Sequence, residues 1–360
     1  MMIILIEKSF DSKPVRPLIR GIYFIAAAIL IIAVVEGGVR FLRLAPPLLA
    51  EYTAYADDPW LPHKPRPMSR ITGRNATDEF FYDYRHNSIG FRDVEHQREK
   101  PAGVFRILGL GDSFTYGAGA AFEETYLYQL EKKLNNRPGA RPRIEIIKAG
   151  IPRFWPEPER LLLQLYGLRY SPDLIMVAFL ANDVLDTFEG IHALRVTKDG
   201  ALRTGEAEQL GDFGAWLYIH SHAARIVLKY YVASKILKTR QAPRPDEVNR
   251  PDGYHEKDWR QVEKEYEKMI ALARQIKANI VFIHIPQMAP PDDRAAYPAR
   301  RLSVWCEKRN VLFIDVMPAM KEAARTRKIY YPKDGHCTPE GYAVIAEAIN
   351  AELINKRIVP

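Results

Sequence analysis

The chain has 360 residues and a formal net charge of +8, with 47% hydrophobic and 27% charged residues. That length suits one large domain with appendages, and the composition excludes a disordered chain. Basic residues are scattered among acids, as in RTRKIYYPKDG, with no Lys/Arg stripe interleaved with aromatics. A nucleic-acid partner is therefore not expected; anionic lipid or acidic polysaccharide suits the charge at least as well.

Lys8, Lys13, Arg16 and Arg20 precede the uncharged run IYFIAAAILIIAVV, residues 22–35, which reaches Val39 if Glu36 sits near a headgroup. A span needs about 20 apolar residues, and the cores of cleaved signal peptides are as short as this run. No small-x-small cleavage site follows at the usual distance, and Arg40 and Arg43 intervene. The expectation is a cytoplasmic tail over 1–20 and an uncleaved transmembrane anchor over 21–39. The rest of the chain would then lie outside the cytoplasm, in the periplasm of a double-membraned cell.

Residues 40–102 read as a linker and a short extension. The stretch LAPPLLAEYTAYADDPWLPHKPRPMSR is proline-rich and aperiodic. NATDEFFYDYRHNSIGFRDVE, residues 75–95, carries aromatics and an NSIGFR turn and is expected to form a short hairpin. Asn75 opens an Asn-Ala-Thr sequon, which matters only in a glycosylating host.

From residue 103 to 356 the chain alternates. Near-continuous apolar runs at 104–110, 143–149, 173–180, 279–286 and 311–317 are what strands buried on both faces look like. Helical patterns at 123–136, 156–169, 258–278, 299–309 and 339–355 separate or follow them. Such alternation predicts right-handed crossovers and a parallel sheet within an α/β/α sandwich. An insertion over 184–257, with the long helical pattern GAWLYIHSHAARIVLKYYVASKILK, leaves the carboxyl end of the third strand. Open α/β sheets bind ligands at that edge, so the insertion is a candidate lid or specificity element.

The first strand stops at GLGDSF, where Ser113 is either a nucleophile held out at the strand's end or a cap of the next helix. The segment lacks the last glycine of G-x-G-x-x-G, and no Lys-Ser/Thr follows for a P-loop. Thr115 stands where G-x-S-x-G needs glycine. Asp334 and His336 lie in the polar turn before the last helix, which Pro339 opens. An acid beside an imidazole suits general-base catalysis, because it fixes the tautomer and steadies the imidazolium. Alone such a turn is usually solvated, but the topology brings it to the same sheet edge as Ser113. Asn182 in FLANDVLD follows the third strand, and Gly150 in KAGIPRF ends the second. Both are ordinary residues for such places. Together with the N–H of Ser113 they would supply donors for an oxyanion.

In the order Ser, Gly, Asn, His, the chain from about 104 to 355 resembles the SGNH (GDSL-type) hydrolases. The resemblance implies a flavodoxin-like α/β/α fold with five parallel strands and no cofactor. It further implies Ser113 as nucleophile, Gly150 and Asn182 as oxyanion donors, His336 as base and Asp334 as its acid. Three departures stand out: GDSFT has Phe114 where the family has Leu; Leu180 replaces the usual Gly two before Asn; and Lys333 occupies the common acid position, three before His. His336 could instead work as a dyad with a backbone carbonyl.

Asp112, Asp183 and Arg92 border these blocks as candidate substrate contacts, although Asp183 could simply cap the next segment. His220 and His222, two apart, point to different helix faces and read as packing residues, and His284 in VFIHIP reads as a core histidine. No metal site is expected. Cys306 and Cys337 either pair or stay as two free buried thiols.

The resemblance implies a membrane-tethered serine esterase acting on small acyl groups, acetyl foremost, carried on carbohydrate. Two alternatives stay open. One is an O-acyltransferase that modifies an exported polysaccharide with a multi-span membrane partner as acyl donor. The other is an inactive scaffold of an envelope complex.

Overall fold

The structure, a computed structural model, describes residues 15–42, 44–45, 55–75, 77–137, 139, 142–189, 195–196, 202–203, 210–228, 231, 256–287 and 297–360. In chain order come α1 (Val15–Phe41), an antiparallel hairpin of β1 (Arg70–Arg74) and β2 (Phe81–Arg85), β3 (Val104–Gly111), α2 (Ser113–Tyr116), α3 (Tyr126–Asn135), β4 (Arg143–Gly150) and α4 (Pro156–Leu165). β5 (Leu174–Phe179), α5 (Asn182–Glu189), α6 (Gly211–His220), α7 (Glu256–Gln275), β6 (Asn279–His284), α8 (Tyr297–Glu307), β7 (Leu312–Asp315), α9 (Met317–Ala323) and α10 (Pro339–Asn355) follow.

The chain forms two compact units, Met1–Leu48 with Glu206–Ala242 and Leu49–Gly205 with Pro243–Pro360. In the first, Ile19–Phe41 is a 23-residue stretch of mean hydropathy 2.4 with none of it buried. By length and composition this helix is able to cross a membrane and fits a single-pass anchor. The long helical pattern foreseen over 214–238 is interrupted: α6 ends at His220, Ser221 is extended, and a second helical stretch covers 222–228. Most of the remaining insertion, on which the lid reading rests, lies outside the described residues.

The second unit is built on the five expected strands, all parallel, in the order β7-β6-β5-β3-β4. The order reverses between β3 and β5. Open α/β sheets bind ligands at the strands' carboxyl ends beside such a switch point. Side chains alternate across the sheet: Ile107 enters one core with α3 and α10, while Leu108 enters the other with α4, α7 and α8. Both are fully buried, and each such burial stabilises by about 1.5–3 kcal/mol. The two cysteines are free, Cys306 in one core and Cys337 in the other, so the sheet separates them.

The hairpin exists and starts earlier than residue 75, its strands being β1 and β2, and NSIGFR forms a separate turn after it. Asn75 closes the hairpin turn by accepting from the N–H groups of Glu79 and Phe80 through its Oδ1, at 2.8 and 3.1 Å. Asn87 organises the later turn in the same way, its Oδ1 accepting from Ile89, Gly90 and Phe91.

Candidate active site

β3 delivers the chain into a short turn. Asp112 caps α2, its carboxylate accepting from the N–H of Phe114 at 2.9 Å, and Ser113 is the first residue of that helix. Gly117 ends α2 in the left-handed conformation, φ 85°, which glycine adopts without a steric penalty. The helix sits tightly on the end of β4. A Cβ at Gly150 would lie 2.3 Å from the Tyr116 nitrogen and 2.4 Å from the Thr115 carbonyl carbon.

The second half of the site comes from the turn before α10. Tyr331 and His336 close it, with the N–H of Tyr331 donating to the His336 carbonyl at 2.9 Å, and Thr338 caps α10 beyond it. His336 Nε2 lies 2.8 Å from Ser113 Oγ, and its Nδ1 lies 2.5 Å from Asp334 Oδ1. A carboxylate can only accept, so Nδ1 carries the proton and Nε2 is left to accept from the serine hydroxyl. The ring leans on Phe114 with centroids 5.0 Å apart. Phe114 thus carries a contact at the position where the resembling family has Leu.

The acid two residues before His, rather than three, reaches the imidazole. Burial alone would raise the Asp334 carboxyl. Hydrogen bonding with His336, the charge of that ring and the amide of Asn75 outweigh it and hold the carboxyl below its ordinary value. Asn75 Nδ2 donates to Asp334 Oδ2 at 3.1 Å, and Glu79 accepts from the Asp334 N–H at 2.7 Å. The hairpin turn therefore holds the acid from behind. These two residues escaped the motif reading, in which Asn75 figured only as a sequon. Its side chain is 4% exposed and fully engaged, so the folded chain offers no acceptor there.

Asn182 opens α5 at the end of β5. Its Oδ1 accepts from Gln287 at 2.7 Å and its Nδ2 donates to Asp186 at 2.9 Å. One of its two amide hydrogens faces Asp186. Burial raises the Asp112 carboxyl above its ordinary value, and the Asn182 amide is among the groups that partly offset this. Asp183 holds the strand exit, its carboxylate accepting from the Leu180 N–H at 2.9 Å.

Three candidate substrate contacts are placed elsewhere. Arg92 is 3% exposed, and its guanidinium donates to the carbonyls of Tyr116, Gly117 and Ala120 while covering the Tyr84 ring at 3.9 Å. It ties down the loop after α2 instead of reaching solvent. Asp112 and Asp183, 2% and 0% exposed, hold backbone N–H groups beneath the site. His284 is a core residue, its Nδ1 2.8 Å from Asp315 Oδ1. Among the described residues, no group of three or more His, Cys, Asp and Glu is placed to hold a metal ion.

Below the turn lies a buried acidic pair. Glu159, from α4, has neither carboxyl oxygen hydrogen-bonded, and Asp183 has one oxygen without a partner. Burial, then the charge of Asp112, raises the Glu159 carboxyl well above its ordinary value of 4.5. The native state therefore keeps a proton that the unfolded chain releases, and stability falls as pH rises above 4.5. An unpaired buried polar group costs about 1–3 kcal/mol. Glu159→Met is accordingly expected to raise Tm by roughly 2–8 °C at pH 8 and by less at pH 5. Calorimetry at the two pH values reads this out, and a Tm lowered at both would contradict it.

Residues 110–344, well over half of the chain, match the model of the GDSL-like lipase/acylhydrolase family. The chain belongs to that family. By family it is a serine hydrolase acting on ester bonds. No curated sequence relative matches it. Solved structures with a similar fold include a member of the lipolytic protein G-D-S-L family from Veillonella parvula. It is 14% identical, covers 70% of this chain and 98% of its own, and has a TM-score of 0.42. A catalytic mutant of an acetylxylan esterase from Geobacillus stearothermophilus is 13% identical over 69% of this chain and 94% of its own, TM-score 0.43. A two-domain esterase active on acetylated mannans is 14% identical over 70% of this chain and 49% of its own, TM-score 0.41.

Proposed function

We propose that the hydrolase works through a Ser113 acyl-enzyme on small acyl esters, O-acetyl esters of carbohydrate foremost, from a membrane-tethered position outside the cytoplasm. One observation carries the chemistry: the unbroken line from Ser113 Oγ through His336 to Asp334 at the carboxyl edge of the sheet. His336 takes the serine proton as Oγ attacks the ester carbonyl. The oxyanion is met by the N–H of Ser113, the N–H of Gly150 and the amide of Asn182. His336 then returns the proton to the leaving alcohol, and water activated by the same imidazole releases the acid. Removing one oxyanion donor of such a set typically raises the barrier by about 2.7–4 kcal/mol.

The tether is supported by the apolar body of α1 and by the basic residues ahead of its uncharged run. The carbohydrate as carrier of the acyl group rests on family resemblance and on the surroundings such a tether would give.

The experiment is turnover of p-nitrophenyl acetate by the full chain in detergent, with and without an oligosaccharide acceptor. Free acetate released at a rate the oligosaccharide leaves unchanged is the expected result. Acetylated oligosaccharide formed in place of acetate would replace hydrolysis with acyl transfer, which would call for an acyl-donor partner.

A further inference from the structure

The first unit contains a joint that the chemistry of the hydrolase does not use. Near the end of α1, the Glu36 carboxylate accepts from Ser221 Oγ at 2.9 Å and from the N–H groups of His222 and Ala223 at 2.8 and 3.0 Å. Arg40, one turn on, donates to Glu36 at 2.7 Å and to the carbonyl of His220 at 2.8 Å. A carboxylate thus meets the first N–H groups of the stretch 222–228, and a guanidinium meets a carbonyl at the end of α6. The two charges of an otherwise apolar helix end are satisfied by one turn of the insertion.

The position of the joint along α1 matters. Glu36 stands 17 residues beyond Ile19, about 25 Å at the helical rise, against a hydrocarbon core about 30 Å thick. In a bilayer spanned by α1 the turn 220–223 would stand near the outer edge of the hydrocarbon, with α6 ending and the stretch 222–228 starting there. On α6, Phe213 and Trp216 are one turn apart with rings stacked 6.2 Å between centroids, and Trp216 approaches His220 at 5.1 Å. Phe213 is 73% exposed and Trp216 54%, and Val227 on the following stretch is 68% exposed. Large apolar rings rarely stand in water in such a row, and indoles concentrate at the membrane–water boundary.

We infer that the segment 210–228 lies in the outer interface of the bilayer that α1 crosses, with Phe213 and Trp216 seated among headgroups and upper acyl chains. The inference rests on the membrane-anchor reading. The bilayer is favoured over a protein partner because α1 already fixes this turn at the level where a bilayer surface would be. The insertion is then a foot on the membrane, and Glu36 and Arg40 are the joint that sets it.

The test uses the full chain in phosphatidylcholine vesicles, with and without bromines placed high on the acyl chain. Trp155, Trp259 and Trp305 are buried in the hydrolase unit, which leaves Trp60 and Trp216 as the exposed indoles. Bromolipid should quench wild-type emission, Trp216→Phe should lose most of that quenching, and Trp60→Phe should keep it. Equal quenching in wild type and Trp216→Phe would overturn the inference. So would a Trp216 emission that ignores bromine but shifts with protein-to-lipid ratio, since that would assign the face to a second copy. Alkaline carbonate extraction separates the two levels: a chain released from vesicles ends the anchor reading and this inference with it. A retained chain with unquenched Trp216 ends only the inference.

Discussion

His336→Ala is expected to lower kcat on a p-nitrophenyl ester by roughly 10⁴-fold or more while leaving the fold intact. The ring is the only group within hydrogen-bond reach of both Ser113 Oγ and the Asp334 carboxylate among the described residues. Without it the hydroxyl has no base, and the residual rate falls to what the oxyanion donors and substrate binding supply. A graded series gives the claim content. Asp334→Asn keeps the shape but donates toward Nδ1, which favours the wrong tautomer, and should cost up to about 10⁴-fold in kcat. Asn75→Ala removes the hydrogen bond behind the acid together with the two that close the hairpin turn, and a loss of at least about 10-fold in kcat is expected. Steady-state kinetics on the three variants, each checked by circular dichroism, reads the order. A His336→Ala protein that keeps more than a tenth of wild-type kcat would break the account of the base.

The second large effect is steric. Gly150→Ala places a methyl group 2.3 Å from the Tyr116 nitrogen and 2.4 Å from the Thr115 carbonyl carbon, both main-chain atoms of the helix that Ser113 opens. A flexible side chain could swing away; main chain held by the sheet on one side and by Arg92 on the other cannot. The helix must move, and a misplacement of about 1 Å at a reacting group can cost about 10²-fold in rate. The expected result is at least a 10²-fold drop in kcat/KM, with roughly 1–3 kcal/mol of stability lost to overpacking. Denaturant titration and kinetics on one preparation measure both. Wild-type kcat in Gly150→Ala would mean that the close approach is not what positions Ser113.

How much of this could be read from the sequence depends on how local each cause is. The sheet was legible because five apolar runs and their helices impose one alternation, and parallel connections allow few topologies. Ser113 and the Asp334–His336 turn were legible because each stands at a strand or helix boundary that such a topology brings to one edge. The acid two before His was legible too, although Lys333 holds the more common place. Asn75 was not. Its partner is 259 residues away in a hairpin outside the alternation, and nothing in NATDEF signals a hydrogen bond to a distant carboxylate. Arg92 misled for a related reason: the carbonyls of Tyr116, Gly117 and Ala120 converge on one point inside the protein, and only the folded loop shows that a guanidinium fills it. The break of the insertion helix at Ser221 was hidden likewise, because the residue that caps the new start is Glu36, far back in the chain.

The central claim is that Ser113 is the nucleophile of an esterase. The most direct measurement treats purified full-length protein and its Ser113→Ala twin with a fluorophosphonate, maps the adduct by mass spectrometry, and follows p-nitrophenyl acetate hydrolysis in the same samples. A single adduct on Ser113, with labelling and hydrolysis both lost in the folded Ser113→Ala protein, is the predicted result. An adduct on another residue, or hydrolysis undiminished by Ser113→Ala, would contradict it.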